Sequence, residues 1–284
     1  MPEDYPNIGV IGGGNMGEAF AGAMIRAGIF RPFSITLSDI LPERLEYLKA
    51  TYGVNVNNDN FKVFDSCKTV ILAVKPQHME KTLSSIAQHP EYSIRERKLV
   101  ISIAAGITIE KIERLLYTPL EEPFRKKLPI IRVMPNTPAL VLEAMSGMSA
   151  NRNAFREERD MTRKILQTMG KVIEFEEKHL NAVTALSGSG PAYVFYLIES
   201  MIEAGISMGL DPEDSKQLTL NTVKGAAALM ETKNETAEKL RKQVTSPGGT
   251  TEAAFKVLEK DRVKQSIISA ILAGANRARE LSEF

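Results

Sequence analysis

Short apolar runs alternate with longer stretches of three-to-four-residue hydrophobic spacing over the first 176 residues. Runs at 8–11, 34–38, 53–55, 69–74, 99–103, 129–133 and 171–175 read as strands, several too uniformly apolar to leave a face in water. Helices are predicted from the glycine-rich stretch to Ala27, where Gly28 ends the first, and at 42–52, 79–88 and 157–169. Strands alternating with helical crossovers imply a parallel sheet. Two prolines hold Met134-Pro-Asn-Thr-Pro138 as an extended loop. From Leu180 onward the periodicity is helical with almost no strand signal. The predicted organisation is therefore an α/β domain with a parallel sheet over 1–176, followed by an all-α domain over 177–284. Apolar stripes in the second part include Val183, Leu186, Val194, Leu197, Ile198, Met201, Ile202 and Ile206. They are either buried within one chain or covered by a partner subunit, and so many apolar helices in so small a domain favour dimerisation.

A length of 284 residues suffices for two cores. Lys plus Arg number 36 against 35 Asp plus Glu, so no basic surplus points to nucleic acid or an anionic membrane. The single cysteine, Cys67, excludes a disulfide framework and a Cys-rich metal site, and reads as a small buried residue before a strand. His78, His89 and His179 lack metal-ligand spacing, so no metal is expected. No apolar run approaches the roughly 20 residues of a membrane span, and the N-terminus lacks signal-peptide features, so a cytoplasmic location is expected.

Candidate chemistry starts at Ile8-Gly-Val-Ile-Gly-Gly-Gly-Asn-Met-Gly17, where a buried strand must turn into a helix. Gly12 permits the tight turn, Gly14 clears space for a pyrophosphate, and Gly17 lets the helix lie close to its strand. Asn15 and Met16 open that helix, whose free N–H groups suit phosphate. This is the dinucleotide fingerprint of a Rossmann domain. Asp39 stands about twenty residues further on, where a carboxylate can accept bonds from a ribose 2′-hydroxyl and repel a 2′-phosphate, which leans toward NADH over NADPH. Asp39 is equally placed to start the next helix, and Ser38 and Arg44 could take a phosphate if the loop presented them. Further strand ends carry small or polar residues: Ala73, Val74, Lys75 and Pro76 at one, Ala104, Ala105 and Gly106 at another. Ligands of such sheets bind outside the carboxyl ends of the strands. Asn136 either meets a carboxamide such as nicotinamide's or simply forms a turn.

Two interruptions break the helical half. Ser187-Gly-Ser-Gly-Pro-Ala-Tyr193 places Gly188 and Gly190 inside an apolar run, at a cost of about 1 kcal/mol each relative to alanine. Either a tight helix crossing or contact of Ser187, Gly188 and Ser189 with a ligand explains it. Val244-Thr-Ser-Pro-Gly-Gly-Thr-Thr-Glu-Ala253 runs into a helix predicted over 252–259, and its unpaired N–H groups suit a carboxylate. Thr250 and Thr251 either cap that helix or bond a substrate.

In this order the motifs Ile11-Gly-Gly-Gly-Asn-Met-Gly-Glu-Ala19, Ala73-Val-Lys-Pro-Gln77, Ile103-Ala-Ala-Gly106, Arg132-Val-Met-Pro-Asn-Thr-Pro138, Val183-Thr-Ala-Leu-Ser-Gly-Ser-Gly-Pro-Ala-Tyr193 and Thr245-Ser-Pro-Gly-Gly-Thr-Thr251 resemble the pyrroline-5-carboxylate reductases over the whole chain. The resemblance implies a Rossmann domain followed by a helical dimerisation domain. It further implies NAD(P)H as cofactor, 1-pyrroline-5-carboxylate as the small-molecule substrate, and self-association as a dimer or a larger assembly of dimers. Cofactor contacts would fall on Gly12, Gly14, Asn15, Met16, Gly17, Ser38, Asp39, Asn60, Ala73, Val74, Lys75, Pro76, Ala104, Ala105 and Gly106, beside the Asn136 candidate read from its own loop. Substrate contacts would fall on Glu177, Ser187, Gly188, Ser189, Ser246, Gly248, Gly249, Thr250 and Thr251, with backbone N–H groups at 246–249 on the carboxylate and Thr251, the catalytic candidate, on the ring nitrogen. The chain departs from the family at 231–240, which lacks a common His-Pro pair, at Gln243 and at Asn181. A 3-hydroxyacid dehydrogenase or imine reductase would share the first domain and normally carry a catalytic lysine or acid in the second. A non-catalytic dinucleotide sensor would keep the fingerprint and lose the 245–251 turn, which is intact here.

Overall fold

The structure, a computed structural model, describes residues 7–283. β1 (Ile8–Ile11) is buried along its whole length and turns directly into α1 (Asn15–Arg26). β2 (Ile35–Ser38), α2 (Pro42–Tyr52) and β3 (Asn55–Asn57) follow. The third strand starts two residues later than predicted because Gly53 caps the end of α2. α3 (Asn60–Ser66), which hydrophobic spacing did not reveal, begins where the Asp59 carboxylate accepts the N–H groups of Phe61 and Lys62. Its open carbonyls end on the buried Lys98 ammonium, which donates to the carbonyls of Phe64, Asp65 and Cys67.

β4 (Thr69–Leu72) and β5 (Leu99–Ser102), both fully buried, flank α4 (Pro76–Ala87). That helix starts three residues before its predicted first residue, Met79, because Pro76 takes the first turn, where no backbone donor is missed. α5 (Ile109–Tyr117), α6 (Glu122–Arg125) and β6 (Ile130–Met134) lead to a 3-10 turn (Thr137–Val141) and β7 (Ala144–Ala150). α7 (Arg156–Gln167) and β8 (Gly170–Glu174) close the sheet.

The eight strands are ordered β3-β2-β1-β4-β5-β6-β7-β8, and all pairs are parallel except β6 with β7. The sheet is thus parallel, as the strand–helix alternation implies, at every pair but this one. The link from β6 is too short for a crossover helix, so β7 returns as a hairpin partner. Two apolar layers cover the faces. One joins β1 and β2 to Phe20 and Met24 of α1 and Ile165 of α7; the other joins Ile11 and Leu72 to Phe64, Met79, Leu83 and Ile112. Each such side chain, when fully buried, contributes about 1.5–3 kcal/mol.

The helical part comprises α8 (Leu180–Val183), a π turn (Thr184–Gly188), α9 (Gly190–Ser207), α10 (Pro212–Lys233), α11 (Ala237–Gln243), α12 (Thr250–Lys260) and α13 (Val263–Glu283). The chain forms two compact units: residues up to Gly188 with those from Gly274 on, and Ser189–Ala273. Residues 177–188 therefore pack with the sheet, beyond the break in periodicity at 176. Val183 and Leu180 lie so close over Gly147 of β7 that a side-chain carbon there would meet Val183 at 2.8 Å.

Candidate active site

Ile11 of β1 stands level with Leu72 of β4, which stands level with Ser102 of β5. The loops beginning at Gly12, Ala73 and Ile103 consequently open on one sheet edge. Between β1 and β4 the strand order changes direction, the place where doubly wound sheets bind ligands. Gly12 has φ 105°, and a Cβ there would lie 2.7 Å from the Ala73 carbonyl carbon. A Cβ on Gly17 would stand 2.0 Å from the Gly12 oxygen, whereas one on Gly14 would meet nothing within 4 Å. Gly14 is the N-cap of α1 and brings no side chain to its donors, so the N–H groups of Asn15, Met16 and Gly17 face the open space beside it. A space that only a missing Cβ keeps free, ringed by unpaired donors, fits the pyrophosphate of a dinucleotide.

The acidic position has structural work of its own. Asp39 Oδ2 accepts the Gly13 N–H at 2.8 Å and Oδ1 the Leu41 N–H at 3.0 Å. Ser38 is fully buried and donates to the Asn60 carboxamide oxygen at 2.7 Å. Arg44 donates from Nε to the Gly13 oxygen at 2.6 Å and from Nη2 to Glu18. The polar ends of Ser38 and Arg44 are thus both bonded to protein groups.

Glu18 also accepts the Tyr52 hydroxyl at 2.8 Å. Burial alone would raise the Glu18 carboxyl, but the Arg44 and Tyr52 hydrogen bonds and the Arg44 charge outweigh it and hold the group below its ordinary range. The same arrangement pushes the Tyr52 hydroxyl up to about 12, through burial first and Glu18 second. A carboxyl whose folded-state value is depressed adds stability above its unfolded value and loses it as pH falls through the folded one. Thermal stability is expected to be level from pH 7 to about 5 and to drop below about 4.5, and Glu18→Gln should flatten that drop. Melting curves across this range check it; an unchanged acid limb in the variant contradicts the role given to Glu18.

At the other strand ends Ala73 and Val74 are half-buried, Lys75 is the exposed N-cap of α4, and Ala104 and Gly106 are buried beside the less buried Ala105. Both ends of the Asn136 amide have protein partners. Its Oδ1 accepts the Met145 N–H at 2.9 Å, and its Nδ2 lies 3.3 Å from both oxygens of Ser187. It thereby ties the start of β7 to the π turn that contains Ser187 and Gly188. Glu177, expected to touch substrate, is held inside the first unit. Its Oε1 accepts the Ile109 N–H at 2.8 Å and pairs with Arg132 at 3.0 Å. Arg132, 3% exposed, reaches Asn181 from its other nitrogen, and Ser282 donates to that same Asn181 oxygen at 3.1 Å. The asparagine that departs from the family pattern is a member of this network.

In the second unit, Ser189 immediately precedes α9. Ser246 to Gly249 make a tight turn closed by the Gly249 N–H on the Ser246 oxygen at 3.0 Å, with Gly248 at φ 72°. The Gly248 N–H is taken by Glu252 at 3.0 Å. Two of the donors expected to hold a carboxylate are thus already bonded. Thr250 and Thr251, the first residues of α12 after its Gly249 cap, present the outward donors of the first turn. Among the described residues no cluster of three or more His, Cys, Asp or Glu is placed to hold a metal ion.

Residues 177–281 match the family described as pyrroline-5-carboxylate reductase dimerisation, and residues 7–106 match the one described as NADP oxidoreductase coenzyme F420-dependent. Pyrroline-5-carboxylate reductase 2 of Bacillus subtilis is 39% identical over 97% of this chain and 95% of its own length. The chain belongs to the pyrroline-5-carboxylate reductase family. A solved reductase of the family from Coxiella burnetii, 35% identical, covers 98% of this chain and 99% of its own with a TM-score of 0.84. A Plasmodium falciparum pyrroline carboxylate reductase structure with NADP bound, 29% identical, covers 99% of this chain and all of its own with a TM-score of 0.86. The reading as a related dehydrogenase gives way to these full-length likenesses. Sequence reasoning missed Arg132, Glu18 and Tyr52. Arg132 inside an otherwise apolar strand was the available signal, since a charge there needs a partner.

Proposed function

We propose that this chain reduces 1-pyrroline-5-carboxylate to L-proline, drawing the hydride from NAD(P)H. The observation that carries the reading is the open space at Gly14, in a chain of this family that also keeps the Thr245 to Thr251 turn. The bound dinucleotide supplies a hydride to the imine carbon. The donors at 15–17 hold its pyrophosphate, and the edge formed by Gly12, Ala73 to Pro76 and Ala104 to Gly106 aligns the rest. The first-turn N–H groups of Thr250 and Thr251 hold the substrate carboxylate, supported by Ser246, Gly248 and Gly249, whose turn fixes them. The Thr251 hydroxyl accepts the N–H of the protonated imine, whose nitrogen receives the C=N electron pair as the carbon takes the hydride. A protonated imine is already electrophilic, so orientation supplies much of the rate.

Glu177 and Asn136 enter this reading as positioning residues. The cofactor part extends over 1–176 and the substrate and self-association part over 177–284. Self-association is supported by the family description and by apolar side chains left exposed on α9, among them Phe195, Tyr196 and Leu197. A cytoplasmic location belongs to this reading; among the described residues no helix is long and apolar enough to cross a membrane.

Purified protein should oxidise NADH or NADPH only when 1-pyrroline-5-carboxylate is present. Thr251→Ala should lower kcat/KM by about ten- to a hundredfold, the worth of one hydrogen bond to a charged group, with Thr251→Ser recovering most of it. Unchanged kinetics in Thr251→Ala would remove Thr251 from the reaction.

A further inference from the structure

Resting on the reading of the glycine turn as a dinucleotide site, we propose that this chain selects NADH over NADPH, with Glu18 as the residue that keeps Arg44 from serving a 2′-phosphate. The selection has three parts. Asp39 closes β2 with both carboxylate oxygens fixed by backbone donors, on Gly13 and Leu41. A carboxylate has about four acceptor positions, so two remain for ribose hydroxyls. A dianionic phosphate at the same place would meet a like charge that cannot turn away.

The groups that could offset that charge are held elsewhere. Ser38 is buried with its hydroxyl on Asn60. The residue after Asp39 is Ile40, an exposed apolar side chain with nothing to give a phosphate. Arg44 is the nearby cation, and it is held from three directions: Nε on the Gly13 oxygen, Nη2 on Glu18, and its face 5.0 Å from the Tyr47 ring centre. Tyr52 and Tyr47 donate to the same Glu18 carboxylate at 2.8 and 3.3 Å, which fixes the acceptor that fixes the arginine. Gly13 is clamped through its N–H by Asp39 and through its C=O by Arg44. The residues that would read the 2′-position thus also shape the phosphate turn.

Calorimetric titration of the full-length protein with NADH and with NADPH, without substrate, tests this through the ratio of the two dissociation constants. The wild type should bind NADH at least about tenfold more tightly. Glu18→Gln releases Arg44 and should improve NADPH affinity by about fivefold or more with NADH little changed. Asp39→Asn removes the like charge and should narrow the ratio from both sides. Arg44→Met should leave the ratio near its wild-type value, because the clamp on Gly13 serves both dinucleotides. Equal or tighter binding of NADPH by the wild type overturns the proposal, as does an Arg44→Met variant that loses NADPH alone. Binding of neither dinucleotide removes the glycine-turn reading and the proposal with it, whereas tight binding of both at a ratio near one overturns the selection only.

Discussion

Gly17→Ala is expected to lose both its stability margin and its dinucleotide affinity, whereas Gly14→Ala keeps the fold and loses affinity alone. The two glycines lie three residues apart in one turn but meet different surroundings. A methyl group on Gly17 stands 2.0 Å from the Gly12 oxygen and 3.3 Å from Val10, so backbone must move away from backbone. Overpacking of this kind costs about 3 kcal/mol, or about 6–12 °C in melting temperature for a chain of this size. A methyl group on Gly14 touches no protein atom within 4 Å, and its cost is about 1 kcal/mol or less, alanine being the poorer N-cap. It fills the space assigned to the pyrophosphate, and affinity should fall by about a hundredfold. Melting temperature and dinucleotide titration on both variants check the pair. A Gly14→Ala protein that binds as the wild type does would mean that the phosphates lie elsewhere.

Glu177→Ala should destabilise the protein by about 3 kcal/mol or more, and a second substitution, Arg132→Met, should recover most of that loss. Arg132 has a side chain only 4% exposed, against 31% for Glu177. Removing the more exposed partner therefore strands a buried guanidinium, the costly direction of breaking such a pair. Arg132→Met alone leaves a carboxylate that water can reach and that still accepts the Ile109 N–H, so about 1–2 kcal/mol is expected. Chemical denaturation of the two single variants and the double variant closes the cycle. A direct substrate contact by Glu177 predicts a different pattern: a raised KM, an unchanged melting temperature and no rescue by the second substitution. That pattern would return Glu177 to the substrate side.

The contrast between these two sites marks what the sequence could reveal. The glycine turn is local, so ten consecutive residues specify the strand, the turn and the start of the helix, and the structure places each where the spacing put it. α2 was equally legible, since Pro42 opens it and Gly53 ends it. β7 was not: Ala-Met-Ser-Gly-Met-Ser-Ala has none of the β-branched or aromatic residues that mark strands, and it forms because β6 and β8 pair with it on both sides. α3 is a seven-residue helix made stable by Asp59 at one end and by Lys98, over thirty residues away, at the other. The partners of candidate site residues were hidden for the same reason. Glu177 bonds a backbone group 68 residues earlier, and Asn136 reaches Ser187 across 51 residues. A glutamate among other charged residues or a turn-forming amide carries no trace of such partners. The fold and its glycine turn are patterns of near neighbours, while the assignment of polar side chains depends on which distant segment the fold brings to them.

The central claim is most directly tested by the product. Purified protein incubated with racemic 1-pyrroline-5-carboxylate and a reduced dinucleotide should form one L-proline for each dinucleotide oxidised, and none when either is omitted. Dinucleotide binding without L-proline formation would contradict the account and leave a chain that senses the cofactor without turning it over.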